Sequence, residues 1–331
     1  MVLYTGMCYE RGQFMSKDNQ PYVLVFGASV VDIVGFSKNR YMPYNSTPGK
    51  VKLSYGGVCR NIAENMAKVG IETKFISILG NDEHGKGMLL QSERLGYDMT
   101  DSLILKNGAT PTYLAVLDEN GEMMSAIADM SSIDEMSIDF IESKKEIIEN
   151  AKYVFVDSDD PYHLEYMLTH FSNKTDFILD PVSAEKANGV KHLASYFHTL
   201  KPNRYEAEIL AGFEIKSDED LVRASDLFIS QGVKNVFISL DEDGIYYADK
   251  NQRGQLKAES VQLVNCTGAG DAFVAGIGYG YMKDWSLVET VKFSISMANI
   301  AISHEETIHP SLNEAMVLDY MNKENWVHKI L

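Results

Sequence analysis

The sequence predicts an α/β fold: a central, mostly parallel sheet covered by helices, with a small β-sheet lid beside it. Three observations carry that expectation. Short apolar runs alternate with segments of helical spacing, the rhythm of βαβ units. Two stretches, near residues 50 and 120, break the rhythm with polar–apolar alternation, which a doubly covered parallel sheet does not tolerate. The last third of the chain reads as helical.

Residues 1–20 carry little pattern and read as an N-terminal extension; 21–331 read as one domain without an internal linker. Tyr22–Phe26, a continuous apolar run ending at Gly27, predicts a buried strand. Gly56-Gly57 opens a helix whose apolar positions Val58, Ile62, Met66 and Val69 recur at helical spacing, with Gly70 as its stop. Lys74–Leu79 predicts the next strand, and Gly85–Leu95 a helix stopped by Gly96. Lys50–Tyr55, and Thr112–Leu117 joined to Glu122–Ala128 by the Asp118-Glu-Asn-Gly121 turn, predict antiparallel strands. They place the lid at about 41–55 and 110–130. Further strands are expected at Tyr153–Asp157, Phe177–Asp180, His198–Leu200 and Val236–Leu240, with Ile245–Ala248 and Gln255–Val264 antiparallel. Helices are expected over Gly268–Met282, over Ser286–Ser303 and after Pro310.

Composition narrows the function classes. Lys plus Arg number 30 against 47 Asp plus Glu, a formal charge of −17, so a polyanion such as nucleic acid is repelled as a whole. No apolar run reaches the roughly 18–20 residues needed to span a bilayer, and the first residues do not resemble a signal peptide. The cytoplasm is the expected location. Three cysteines without CxxC spacing, and eight histidines without an HxxxH or HExxH pair, argue against a disulfide framework or a zinc site. Cys266 reads as a packing residue rather than a nucleophile, since no His or Lys flanks it.

The strongest motif is Asn265-Cys-Thr-Gly-Ala-Gly-Asp271, followed by Ala-Phe-Val-Ala-Gly276. A strand ends, small residues turn and a helix begins with Asp in its first turn. Unpaired backbone N–H groups at such a start make an anion hole, and glycines let a phosphate approach the backbone. A carboxylate beside the hole can accept the proton of a hydroxyl that attacks phosphorus.

This motif resembles the C-terminal signature of the ribokinase-like (PfkB) carbohydrate kinases. Gly56-Gly57-Val-Cys-Arg-Asn61-Ile-Ala, with Gly80-Asn-Asp-Glu-His-Gly85 after it, is similar to the family's N-terminal signature. The two stand in the family's order, and the resemblance runs from about Tyr22 to the last helix. It implies a Rossmann-like ribokinase fold in a single kinase domain with ATP and Mg²⁺. Asp271 would be the general base, with Gly268, Ala269 and Gly270 supplying the N–H groups around the phosphoryl group. Thr267 belongs to the same phosphate-binding turn. Asp32 would grip two ribose hydroxyls, Gly56 and Gly57 would let the sugar approach the backbone, and Asn61 would bond a ribose hydroxyl. Asn203-Arg-Tyr-Glu206 matches the NxxE motif, with Asn near the phosphates and Glu in the water shell of Mg²⁺; it also reads as a helix-capping box. Ser239 and Gly244 occupy the nucleotide loop, where Asp241 replaces the usual middle glycine, and Asn299 would border adenine. Many members carry Asp where this chain has Asn265, so a potassium site there loses a charge.

Within the family, the strings Asn45–Lys52, Thr112–Asp118, Gly121–Met130, Asp180–Lys186 and His198–Glu208 are similar to those of pseudouridine kinases. They imply phosphorylation of the ribose 5′-hydroxyl of pseudouridine, with Thr110, Thr112 and Lys186 as candidate contacts to the base or a phosphate. The alternatives are a kinase for ribose, fructose, uridine or adenosine, or a nucleoside sensor without catalysis. A dinucleotide oxidoreductase is disfavoured, because Gly27-Ala-Ser-Val-Val-Asp32 is not GxGxxG. Relatives pair through the lid, which implies a homodimer.

Overall fold

The apolar runs become buried strands. In the computed structural model, which describes residues 20–331, Val23–Phe26 pairs in parallel with Thr73–Ile76 on one side and Tyr153–Val156 on the other. Asp176–Leu179, Thr199–Leu200 and Asn235–Ser239 continue the parallel series. Ile245–Ala248, Arg253–Ala258 and Trp326–Ile330 then extend it antiparallel, giving nine strands. The extension expected over 1–20 lies, except for Gln20, outside the described residues.

Alternate residues of each central strand face opposite sides, so each face needs its own cover. Val23, Val25, Phe155 and Phe237 pack on one face with Ile62 and Met66 of the helix Val58–Lys68 and with Phe273 and Phe293 of the helices Ala269–Met282 and Leu287–Ile302. Leu24, Phe26, Phe177 and Leu179 pack on the other with Leu168, Leu210 and Phe228 from the helices Pro161–Phe171, Arg204–Ala211 and Asp218–Ser230. This is the mostly parallel, helix-covered sheet that the alternation predicts.

A separate four-stranded sheet runs in the order Gly49–Gly56, Val30–Ser37, Thr112–Leu117, Met123–Asp129. Val30–Ser37 is a strand that the sequence left unassigned. Asp32 and Gly35 sit inside it, both of types depleted in strands, and they mask its apolar pattern.

Three other boundaries shift. The run expected over Lys74–Leu79 divides at Ser77, whose N–H bonds Ser102 Oγ at 3.1 Å; Ile78–Gly80 then pairs with Leu103–Leu105 instead. The strand expected over Gln255–Val264 stops at Ala258, because Glu324 Oε1 takes the N–H groups of Glu259 and Ser260 at 3.0 and 3.1 Å. The edge strand Trp326–Ile330 was not anticipated; His328 and Lys329 within it weaken the pattern. Among the described residues no helix is long and apolar enough to cross a membrane.

Candidate active site

Gly268 sets the geometry of the C-terminal motif. Its φ is 84°, and a Cβ there would lie 2.3 Å from Thr307 O, so only glycine fits. The helix Ala269–Met282 starts immediately after it, leaving first-turn N–H groups without intrahelical partners and Asp271 beside them. Asp271 Oδ2 accepts a hydrogen bond from Asn61 Nδ2 at 2.8 Å, across 210 residues of sequence. Asn61 is delivered by the helix that Gly57 caps at φ 100°, where a Cβ would lie 2.7 Å from Ala28 O. The two signatures thus meet at one carboxylate. Burial and the nearby charge of Asp180 push the Asp271 carboxyl up to about 7, against the opposing pull of the Asn61 bond and Lys201.

On one side of Asp271 opens a cavity of about 810 Å³. Ser239, Gly244, Asn299, Ala269 and Gly270 are among its lining residues. Asn299 is buried there, its Nδ2 donating to Tyr320 OH at 3.1 Å, and Tyr320 in turn donates to Ser260 O at 3.0 Å. The loop from Ser239 to Gly244 turns through Asp241 at φ 52°, the position where a glycine was expected. Thr267 is exposed, and its N–H donates to Asn265 Oδ1 at 3.0 Å. Asn265 Nδ2 donates to Glu305 O at 3.1 Å, so this amide itself ties two loops together.

Asn203 and Glu206 form the anticipated capping box. Glu206 Oε2 and Oε1 accept from Asn203 N and Nδ2 at 2.8 and 2.9 Å, and Asn203 Oδ1 accepts from Glu206 N at 2.9 Å. Asn203 also bridges to Ser239, which holds the box at the edge of the cavity. Burial raises the Glu206 carboxyl, and the Asn203 backbone bond partly offsets this. Among the described residues no three His, Cys, Asp or Glu side chains are grouped to cage a metal. Each Glu206 oxygen nevertheless keeps a second lone pair, so the residue suits an ion that retains its water shell, as Mg²⁺ does.

The small sheet joins the site through its strand Gly49–Gly56, which runs into the helix that carries Asn61. Asp32 lies in its strand Val30–Ser37, partly buried, its carboxyl raised by burial against the pull of Arg60. A Cβ on Gly56 would lie 2.1 Å from Asp32 Oδ2, so the absence of a side chain there makes room for the carboxylate. Thr112 donates to Thr110 O at 2.9 Å. Thr110 is buried, donating to Asp82 Oδ1 at 2.7 Å and accepting from Gly80 N at 3.1 Å, which makes it an anchor of the Gly80–Gly85 turn. Lys186 pairs with Asp159 at 2.5 Å.

Sequence reasoning missed three site residues. Asp157 is buried against the Cys59 thiol, with burial and Asp159 raising its carboxyl to about 7. Asp180 and Lys201 are buried together at 3.3 Å. Each is the first polar residue after a buried parallel strand, the end at which open α/β sheets hold ligands. That signal was present in the sequence for all three.

Residues 20–315 match the pfkB family carbohydrate kinase pattern. The chain belongs to this family. It is 34% identical over 299 residues to the pseudouridine kinase of Escherichia coli strain K12, covering 90% of this chain and 95% of that one. Among solved structures it is 60% identical to a Clostridium perfringens protein described as a sugar kinase, with TM-score 0.91 over 94% of this chain and 99% of that one. An Arabidopsis thaliana ribokinase solved with ribose and ATP shares the fold at 22% identity and TM-score 0.77, over 91% of this pfkB-family chain and 98% of its own. Ribokinase-like kinases use ATP, and this kinase carries the family's two signatures on one shared carboxylate.

Proposed function

We propose that this chain transfers the γ-phosphoryl group of ATP to the 5′-hydroxyl of pseudouridine. The observation that carries the reading is Asp271, a buried carboxylate raised to about 7, at the start of a helix whose first residues line a nucleotide-sized cavity. A base whose pKa lies near the working pH is both deprotonated often enough and strong enough to take a hydroxyl proton. The choice of pseudouridine rests on the 34% identity to a pseudouridine kinase along nearly the whole chain.

The acceptor's ribose is held by Asp32 and by the Gly56-Gly57 backbone, with Asn61 fixing the Asp271 carboxylate. Asp271 accepts the 5′-hydroxyl proton as oxygen attacks phosphorus in line. The N–H groups of Gly268, Ala269 and Gly270 bind the phosphoryl oxygens. Ser239, Gly244, Thr267 and Asn299 hold the nucleotide, and Asn203 sits at its phosphates. Magnesium, when bound, neutralises phosphate charge, and Glu206 accepts hydrogen bonds from its waters. Thr112 and Lys186 border the base, Lys186 after exchanging Asp159 for substrate. A potassium ion at Asn265 would have to displace the bond to Glu305 O, and no step is assigned to it. Closure of the small sheet excludes water, so that the acceptor outcompetes hydrolysis.

A homodimer through the small sheet belongs to the same reading. Leu53, Ile33, Leu114 and Ile127 are in register across its four strands, and three of them are exposed. An apolar row of that kind suits a second copy of itself. The cytoplasm, where ATP is available, is the proposed location.

The test is ADP release from MgATP with pseudouridine, uridine, adenosine, ribose and fructose as acceptors. Strong preference for pseudouridine supports the reading. Preference for another acceptor keeps the chemistry and replaces the substrate. Silence on all five favours a sensor.

A further inference from the structure

The mechanism above leaves the buried charge of Lys201 without a task. Lys201 follows the two-residue strand Thr199–Leu200 and is only 6% exposed. Its ammonium has three N–H groups, and Asp180 Oδ2, at 3.3 Å, is its one hydrogen-bond partner among the described residues. The partner is itself fixed. Asp180 Oδ1 accepts from Val182 N at 2.9 Å, and Ser158 donates to the intervening Pro181 O at 2.6 Å. Val182 holds φ 64°, a strained value for a β-branched residue, and that turn aims Asp180 Oδ2 at the lysine.

The position of the ammonium is electrostatically unusual. A Cβ built on Gly270 would lie 2.9 Å from Lys201 Nζ, so the charge sits against the first turn of the helix Ala269–Met282. A helix N-terminus is the positive end of its dipole and favours anions. A buried cation there adds positive charge to positive charge. Asp180, Glu206 and Asp271 hold it protonated in spite of burial. Lys201 also lines the 810 Å³ cavity together with Ala269 and Gly270. Asp180 answers one side of this charge; on the cavity side the ammonium and the helix start converge on one volume, which suits an anion.

We infer that Lys201 is a catalytic residue that binds the γ-phosphoryl group while it passes from ATP to the acceptor. The inference rests on the kinase reading of the site but not on the identity of the acceptor. In the step, the bond between γ-phosphorus and the β–γ bridging oxygen breaks, and ADP leaves with its electron pair. The acceptor's oxygen forms the new bond to phosphorus, and its proton goes to Asp271. Lys201 neither gives nor takes a proton; it contributes a charge and N–H donors to the equatorial oxygens. Gly270 leaves room for the ammonium where it sits; a side chain there would push Nζ aside.

The alternative is that Lys201 only neutralises the three carboxylates and acts through Asp271. The two roles separate in a pH profile. Lys201 lowers the Asp271 pKa, so its loss moves the acid limb of kcat upward. If that were its whole effect, activity would return at pH values well above the limb.

Lys201→Met, which keeps length and removes charge, is compared with wild type in kcat, KM and pH profile on whichever acceptor wild type uses. The expected result is a kcat roughly 100- to 1000-fold lower at every pH, acceptor KM within about threefold, and partial rescue by Lys201→Arg. Recovery at high pH overturns the inference, as does a kcat within about fivefold of wild type. Should the single variant not fold, Lys201→Met with Asp180→Asn removes the buried pair together; a low kcat in it supports the inference and near-normal turnover overturns it.

A second readout needs no acceptor. Binding of MgADP alone, and of MgADP with beryllium fluoride as a γ-phosphoryl mimic, is measured by calorimetry. Wild type is expected to gain at least tenfold in affinity from the fluoride, and Lys201→Met to bind MgADP normally and lose that gain. An equal gain in both proteins overturns the role of Lys201. No acceptor turnover with an intact fluoride effect in wild type overturns the kinase reading alone.

Discussion

The crater around Asp271 and the outer face of the small sheet solve opposite problems. In the crater, polar groups are buried and each answers another. Asn61 bonds Asp271, Asn203 and Glu206 bond each other, and Asp180 divides its two oxygens between Val182 and Lys201. On the small sheet, apolar side chains of one face stand in solvent, with Val51 76%, Ile127 65% and Leu53 48% exposed. Buried polar networks are costly when incomplete, so they specify one geometry. An exposed apolar face specifies nothing until something covers it. Chemistry is thus fixed within one chain, whereas the small sheet's contribution depends on what it meets.

Breaking the crater at its centre should have the largest effect. Asp271→Asn keeps the shape and an acceptor for Asn61 but removes the proposed base. Turnover is expected to fall about a hundred- to ten-thousand-fold, with acceptor binding by calorimetry nearly unchanged. Near-normal turnover would remove Asp271 from the base role. The wild-type rate should rise with pH through an acid limb near 7.

The same carboxyl costs stability. Its folded pKa is raised, so the native state binds more protons than the unfolded state between about 4 and 7, and stability falls as pH rises across that window. Asp271→Asn should therefore melt higher than wild type at pH 8, with the gap closing near pH 4. Equal melting temperatures at pH 8 would mean the carboxyl is not raised.

Smaller effects come from the supports. Gly57→Ala forces a Cβ to within 2.7 Å of Ala28 O at a φ of 100°. It should cost about 1–3 kcal/mol in chemical denaturation and raise acceptor KM more than it lowers kcat. Glu206→Gln loses one oxygen of the capping box, a cost of about 1 kcal/mol to its helix. It should also raise the magnesium concentration for half-maximal rate; an unchanged magnesium titration would confine Glu206 to capping.

The contrast also explains what could be read in advance. The glycine turn and its carboxylate were legible because such residues stand in fixed order at a helix start, as Gly268 to Asp271 do. The parallel sheet was legible from continuous apolar runs such as Val23–Phe26. Strand Val30–Ser37 was hidden because Asp32, the proposed ribose contact, breaks its pattern. Asp180 and Lys201 each stand at a strand end that the sequence shows, but that they pair was hidden for another reason. Their pairing is a contact between neighbouring parallel strands 21 residues apart, and no local spacing rule encodes it. Thr110 stayed open between a base contact and an ordinary strand threonine, because its partners, Asp82 and Gly80, lie 28 and 30 residues away.

The smallest effect within one chain should come from the small sheet. Ile127 sits at 65% exposure on the row with Leu114, Ile33 and Leu53, on an edge strand. Ile127→Asp places a charge in that row without removing any buried contact, so a monomer should lose no more than about 0.5 kcal/mol. If two copies pair through the row, the same change buries an unpaired carboxylate in their interface and should shift sedimentation from dimer to monomer. The kinetic readout then sharpens the comparison. A monomeric variant with unchanged kcat and raised acceptor KM would mean that pairing orders the small sheet over the substrate and leaves the crater untouched. A lowered kcat at saturating substrate would mean that the crater is not self-sufficient, and the division between the two regions would fail. A variant that sediments like wild type would leave the row to some other cover and remove the homodimer from the reading.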